Sequence, residues 1–115
     1  MPEQRAFDSL LLGGWNELPF EPFRDGVEVH YLWRQDSGPV WAFLRYEAGA
    51  RVPRHRHRGL ETIIVVEGSQ SDENGCYEVG SVICNSEGTA HDVWSEDGCV
   101  VLIQWAEPVE ILGDA

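Results

Sequence analysis

Turn-forming residues interrupt this chain so often that no long helix fits between them. Asp36-Ser37-Gly38-Pro39, Ala48-Gly49-Ala50, Glu67-Gly68-Ser69, Glu73-Asn74-Gly75, Ser86-Glu87-Gly88 and Glu96-Asp97-Gly98 follow one another closely, and each carries the Gly, Asn, Asp or Pro chemistry of tight turns. The stretches between are short and rich in β-branched and aromatic residues: Val27–Trp33, Val40–Tyr46, Leu60–Val66, Val79–Cys84, His91–Trp94 and Cys99–Trp105. Helical spacing of apolar residues is scarcely to be found. Such a pattern predicts an all-β sandwich or barrel. With 115 residues the chain is one domain. Its first 25 residues, with Pro19 and Pro22, read as an irregular N-terminal arm over a barrel of about 26–107.

Two of these strands are apolar on both faces. In Glu61–Val66, Ile63 and Val65 lie on one side, and Thr62, Ile64 and Val66 on the other; Cys99–Trp105 behaves alike. A strand with one wet face alternates, so something covers the second face. The candidates are the N-terminal arm and a second subunit, and a homodimer is expected. Trp33, Trp41, Trp94 and Trp105 are expected in the core and the barrel lining.

The net charge of −12 argues against nucleic acid, which demands a positive field. All basic residues are arginines, and the excess acid falls entirely on residues 59–115, which hold no Arg or Lys. Arg51, Arg54, Arg56 and Arg58 crowd around two histidines. They are expected to pair with the acidic half, with attraction of a small anion as the sharper reading. The longest apolar runs are too short to cross a bilayer. No basic stretch followed by an apolar core opens the chain, so a cytoplasmic protein without membrane association is expected. Cys76, Cys84 and Cys99 form no C-x-x-C pair and are expected to be reduced, buried and apolar in behaviour.

His55 and His57 are two residues apart, so an extended chain presents both on one face. Glu61 would stand roughly 20 Å from His55 on a straight strand at ~3.3 Å per residue. A turn at Gly59 must therefore fold it back. His91 follows a Gly-containing turn and opens another strand. Three imidazoles and a carboxylate suit a borderline first-row divalent ion. His30 lies apart and reads as an ordinary polar residue.

The run Gly49-Ala50-Arg51-Val52-Pro53-Arg54-His55-Arg56-His57-Arg58-Gly59-Leu60-Glu61, ending at Gly68, resembles the first cupin motif, Gly-x5-His-x-His-x3-Glu-x6-Gly, at every fixed position. Gly80, Gly88 and His91 resemble the second, Gly-x5-Pro-x-Gly-x2-His-x3-Asn, with Ser86 in place of proline and Ser95 in place of asparagine. Val52–Glu61, Val66-Glu67-Gly68-Ser69, Ser71-Asp72-Glu73-Asn74-Gly75 and Tyr77-Glu78-Val79-Gly80-Ser81 are similar to the ChrR-like cupin family. The resemblance spans roughly 15–105. It implies a single-domain jelly-roll barrel with a metal ion on His55, His57, Glu61 and His91.

In that family the cupin is the zinc-binding C-terminal domain of an anti-sigma factor that responds to singlet oxygen and organic peroxides. The His-x3-Cys-x2-Cys site that precedes it there has no counterpart in these residues, so a stand-alone member is expected. Two functions follow from the resemblance. One is a sensor or regulatory binding protein in which four ligands close a tetrahedral zinc site. The other is a small metal-dependent dioxygenase, similar to acetylacetone dioxygenase, acting on a small oxygenated or anionic organic molecule anchored by Arg51 or Arg45. Zinc is the foremost ion; iron, manganese and nickel are compatible.

Overall fold

The computed structural model describes residues 2–113. Ten strands follow an arm that holds two 3-10 turns, Leu10–Leu12 and Gly14–Glu17. The strands are β1 (Glu21–Arg24), β2 (Val27–Trp33), β3 (Val40–Tyr46), β4 (Arg51–Arg56), β5 (Glu61–Asp72), β6 (Gly75–Glu78), β7 (Val82–Asn85), β8 (Ala90–Trp94), β9 (Cys99–Trp105) and β10 (Glu110–Ile111). All pairings are antiparallel, in the order β1-β2-β3-β9-β5-β8-β4-β10, with β6 and β7 also on β5. The fold is all-β, a curled cupin jelly roll.

Alternation builds the core. Val27 and Val29 of β2, Ala42 and Leu44 of β3, Ile63 and Val65 of β5, Val93 of β8, and Val101 and Ile103 of β9 turn inward and form one buried cluster. The intervening residues of the same strands face outward, as period two requires. On that outer face Leu32, Phe43 and Val100 are buried against Trp15, with Leu10, Leu18, Phe20, Val66 and Leu102 packed around them. The N-terminal arm thus covers the second apolar face. The arm read as irregular ends in a paired strand, β1, and the buried tryptophan is Trp15, while Trp41 is exposed.

β5 is longer than its apolar run suggests. Glu67-Gly68-Ser69 has turn chemistry, yet the chain continues through it as a bulge, with the register slipping between Val65 and Glu67. Gly68 sits there at φ +70°, and an added Cβ would collide with the carbonyl oxygen of Gly98. Only glycine accepts both conditions. The bulge lets β5 leave β9 and β7 and pair onward with β6 and β8.

Three of the clustered arginines pair as expected. Arg51 bridges Asp92, Arg54 bridges Glu73 at 2.7 Å, and Arg56 bridges Glu110 at 3.4 Å. Cys99 is buried, and burial pushes its thiol up to about 11. Cys76 and Cys84 are exposed, contrary to expectation, because they lie on the short outlying strands β6 and β7. No helix of the described residues is long and apolar enough to cross a membrane.

Candidate metal centre

β4, the bend after it, β5 and β8 carry the site. His55 pairs with His91 across β4 and β8, so the two rings leave opposed positions of one ladder. His57 lies just beyond β4 but is still held by backbone bonds, its N–H to the Thr89 carbonyl and its carbonyl from the Gly88 N–H, both 2.8 Å. The chain bends at Arg58-Gly59-Leu60 and returns as β5, which opens with Glu61. All four side chains are buried, and their ligand atoms lie within 4.8 Å of one another. The sequence reading thus assembled the residues that the fold brings together. His30 stays apart, against the carbonyl of Pro19.

Each histidine engages an acceptor through Nδ1. His55 Nδ1 is 2.9 Å from the Pro53 carbonyl, and His91 Nδ1 is 3.0 Å from Asp72 Oδ2. Both partners only accept, so both Nδ1 atoms carry the hydrogen. His57 Nδ1 is 2.9 Å from Thr89 Oγ1, whose own hydrogen goes to the Ser86 carbonyl at 2.6 Å. Thr89 is therefore an acceptor too. In the neutral rings every Nε2 is left with a lone pair.

His57 Nε2 and His91 Nε2 are buried without a hydrogen-bond partner. His57 Nε2 also comes within 3.1 Å of Glu61 Oε1, without hydrogen-bond alignment. Lone pairs pressed together in a dry interior are costly. A proton would relieve one contact, but a cation serves all four atoms at once. The donor set fits a divalent metal ion, and this arrangement of Nδ1 partners is the usual support of metal-bound imidazoles.

Glu61 is held by Asn85 Nδ2, which donates to Oε1 at 3.1 Å, and Trp105 Nε1, which donates to Oε2 at 2.8 Å. Burial pushes the Glu61 carboxyl upward, while protons on His57 and His55, together with the Asn85 amide, would hold it below its ordinary value. Burial lowers His55 from its ordinary value, against the pull of the Pro53 carbonyl. Asp72, Asn85, Thr89 and Trp105 are supports that hold no fixed position in the two cupin motifs.

His55 and Glu61 also line a cavity of about 300 Å³ whose other walls include Leu44, Val52, Val93 and Ile103. Neither arginine named as a substrate anchor reaches it. Arg45 bonds Glu28 at 2.9 Å and lies over the Phe20 ring, and Arg51 is held by Asp92 on the outside. Arg24 lines the cavity instead.

A curled antiparallel barrel with three inward imidazoles and a glutamate from two Gly-bounded motifs defines a cupin. Residues 11–107 match the family described as the ChrR cupin-like domain, and the chain belongs to it. A cupin from Ralstonia eutropha is 26% identical over 86% of this chain and 69% of its own, with a TM-score of 0.76. The complex of Rhodobacter sphaeroides SigE with the anti-sigma ChrR is matched at 24% identity and TM-score 0.69, over 78% of this chain. This chain spans about half, 49%, of that matched chain. An acetylacetone dioxygenase from Acinetobacter johnsonii is matched over 99% of this chain and 79% of its own, at 15% identity and TM-score 0.77, a likeness of fold. No curated relative matches the sequence.

Proposed function

We propose that the protein is a metal-binding cupin of the regulatory or sensing kind, with a zinc-type centre on His55, His57, Glu61 and His91. The observation that carries this is the convergence of three imidazoles and one carboxylate, all buried, with His57 Nε2 and His91 Nε2 left without a hydrogen-bond partner. Four protein ligands suffice for tetrahedral zinc. Iron, manganese and nickel are the alternatives the donor set admits. When bound, the ion supplies positive charge and Lewis acidity. The chain's own residues do the rest. Asn85 and Trp105 aim Glu61, while Asp72 and Thr89 aim His91 and His57.

A second reading, a small dioxygenase resembling those that act on acetylacetone, is favoured by the cavity that touches His55 and Glu61. Elemental analysis of untagged protein tests both. Stoichiometric zinc without oxygen uptake supports the sensor; iron with oxygen uptake in the presence of a small diketone supports the enzyme. Protein carrying no metal, and taking none up, sinks both readings. The proposal includes a cytoplasmic homodimer. Exposed Val79 and Val82 on and before the edge strand β7 support the dimer. A concentration-independent mass near 13.0 kDa in light scattering would remove it.

A further inference from the structure

Arg24, the last residue of β1, is half-buried in the wall of the cavity beside the metal ligands. Among the described residues it makes no hydrogen bond and no ion pair. The other arginines differ. Arg5, Arg45, Arg51, Arg54 and Arg56 bridge carboxylates, Arg34 lies 4.0 Å over the Tyr31 ring, and Arg58 is exposed. Of the carboxylates that share a cleft or cavity with Arg24, Glu28 is taken by Arg45, Glu47 forms no bridge to Arg24, and Glu61, on the same cavity, is held by Asn85 and Trp105. A guanidinium drawn partly out of water without an acceptor is unfavourable, and its planar fork matches a carboxylate.

Tyr46 lines the same cavity and is 5% exposed. Gln70 Nε2 donates to its oxygen at 3.5 Å, so the phenol accepts there. Its own hydrogen has no acceptor among the described residues. Burial holds the phenol well above its ordinary value, so that hydrogen stays in place. Two unmatched donors thus line a mostly apolar space whose other polar walls are His55, Glu61 and Trp105.

We infer that Arg24 and Tyr46 form the anion-recognition point of this cavity, and that its occupant is a small organic acid with a short apolar body. The inference deepens the proposed metal-binding reading, from which it takes the importance of this cavity, but neither residue is a metal ligand. A volume of about 300 Å³ holds roughly ten water-sized groups at ~30 Å³ each. Monocarboxylates from butanoate to octanoate fall in that range. The carboxylate meets Arg24 and the Tyr46 hydroxyl, and the chain lies along Leu44, Val52, Val93 and Ile103 toward His55 and Glu61.

Calorimetric titration of hexanoate and of hexan-1-ol tests this on wild type, Arg24→Gln and Tyr46→Phe, each zinc-loaded and chelator-stripped. Hexanoate should bind wild type in both states. Arg24→Gln should weaken it by about tenfold or more, the range of a lost charge-assisted hydrogen bond. Tyr46→Phe should weaken it by roughly threefold to tenfold, as for a neutral bond. Hexan-1-ol should bind more weakly and ignore Arg24→Gln. Equal hexanoate affinity in wild type and Arg24→Gln overturns the inference, as does a preference for the alcohol. Binding that vanishes on stripping and ignores Arg24→Gln places the anion on the ion; it overturns this inference and leaves the metal reading standing. Arg24-dependent binding by protein that takes up no zinc does the reverse. Should Arg24→Gln not fold, Arg24→Lys and Tyr46→Phe decide, and unchanged affinity in both refutes it.

Discussion

Replacing Asp72 by Asn tests how far the site depends on residues outside the ligand set. Asp72 is buried, and its two oxygens have separate duties. Oδ2 accepts the Nδ1 hydrogen of His91 at 3.0 Å, while Oδ1 accepts the Asn74 N–H at 2.8 Å and the Tyr77 hydroxyl at 3.4 Å. An asparagine has one acceptor and one donor end. If its oxygen stays with Asn74, its NH2 faces His91 Nδ1 and drives the ring hydrogen to Nε2, the atom needed for the ion. If it flips, the NH2 opposes the Asn74 N–H. Both outcomes weaken the site, and the negative charge behind His91 is lost as well. Changes of this kind cost about tenfold to a hundredfold in metal affinity, or roughly 1.4–2.8 kcal/mol. Competition for zinc against a chromophoric chelator reads the effect, with the melting curve of the metal-free variant as the check on folding. A folded Asp72→Asn protein that holds zinc within about twofold of wild type, well short of that range, would refute the assignment of Asp72 and the tautomer argument with it.

Glu61→Gln keeps shape but removes the only ligand charge, so it should lower metal occupancy in elemental analysis while the barrel stays folded; His91→Ala should lower both occupancy and melting temperature, and His30→Ala neither. Full occupancy in both ligand variants would show the ligands misassigned. Gly68→Ala forces a Cβ into the Gly98 carbonyl at positive φ, and about 1–3 kcal/mol of strain should lower the melting temperature by several degrees. An unchanged calorimetric melt would contradict the bulge. Burial lowers His55 from 6.5, so as pH falls the unfolded chain takes up this proton before the folded one does. Its contribution is therefore complete above about 6.5 and is lost as pH drops below that value. Urea unfolding with chelator present should show lower stability at about pH 5.5 than at about pH 7.5; equal or greater stability at the lower pH would remove the argument.

β2, β3 and β9 coincide with Val27–Trp33, Val40–Tyr46 and Cys99–Trp105 because apolar content and flanking turns agree there. Local chemistry misleads at Gly68, where the glycine of a bulge looks like that of a turn until its partner strand is seen. β4 hides for another reason. Three of its six residues are arginine, and its inward Val52 and His55 are separated by a register shift, so no apolar alternation shows. β1, β6 and β10 are short and hold their places through longer neighbours. The grouping of His55, His57, Glu61 and His91 was legible because their types and spacings are chemically unusual. Asp72, Asn85, Thr89 and Trp105 were not, since each acts through a contact made only on folding and Asp72 doubles as a turn residue. The same blindness made Arg45 and Arg51 look free to anchor an anion, when their salt partners lay elsewhere in the sequence.

β5 begins with Glu61 and ends with Asp72. Laid straight, those residues would be about 36 Å apart at ~3.3 Å per residue. Yet one imidazole, His91, meets both: Glu61 on its inward side, within 4.8 Å of its ligand atom, and Asp72 at Nδ1. The strand is a clasp whose two tips close on one ring. Peeling either end of β5 from its neighbours removes a corner of the site, and an ion bound there would resist fraying at both tips. With an ion bound, opening of the barrel and release of the ion would become one cooperative event.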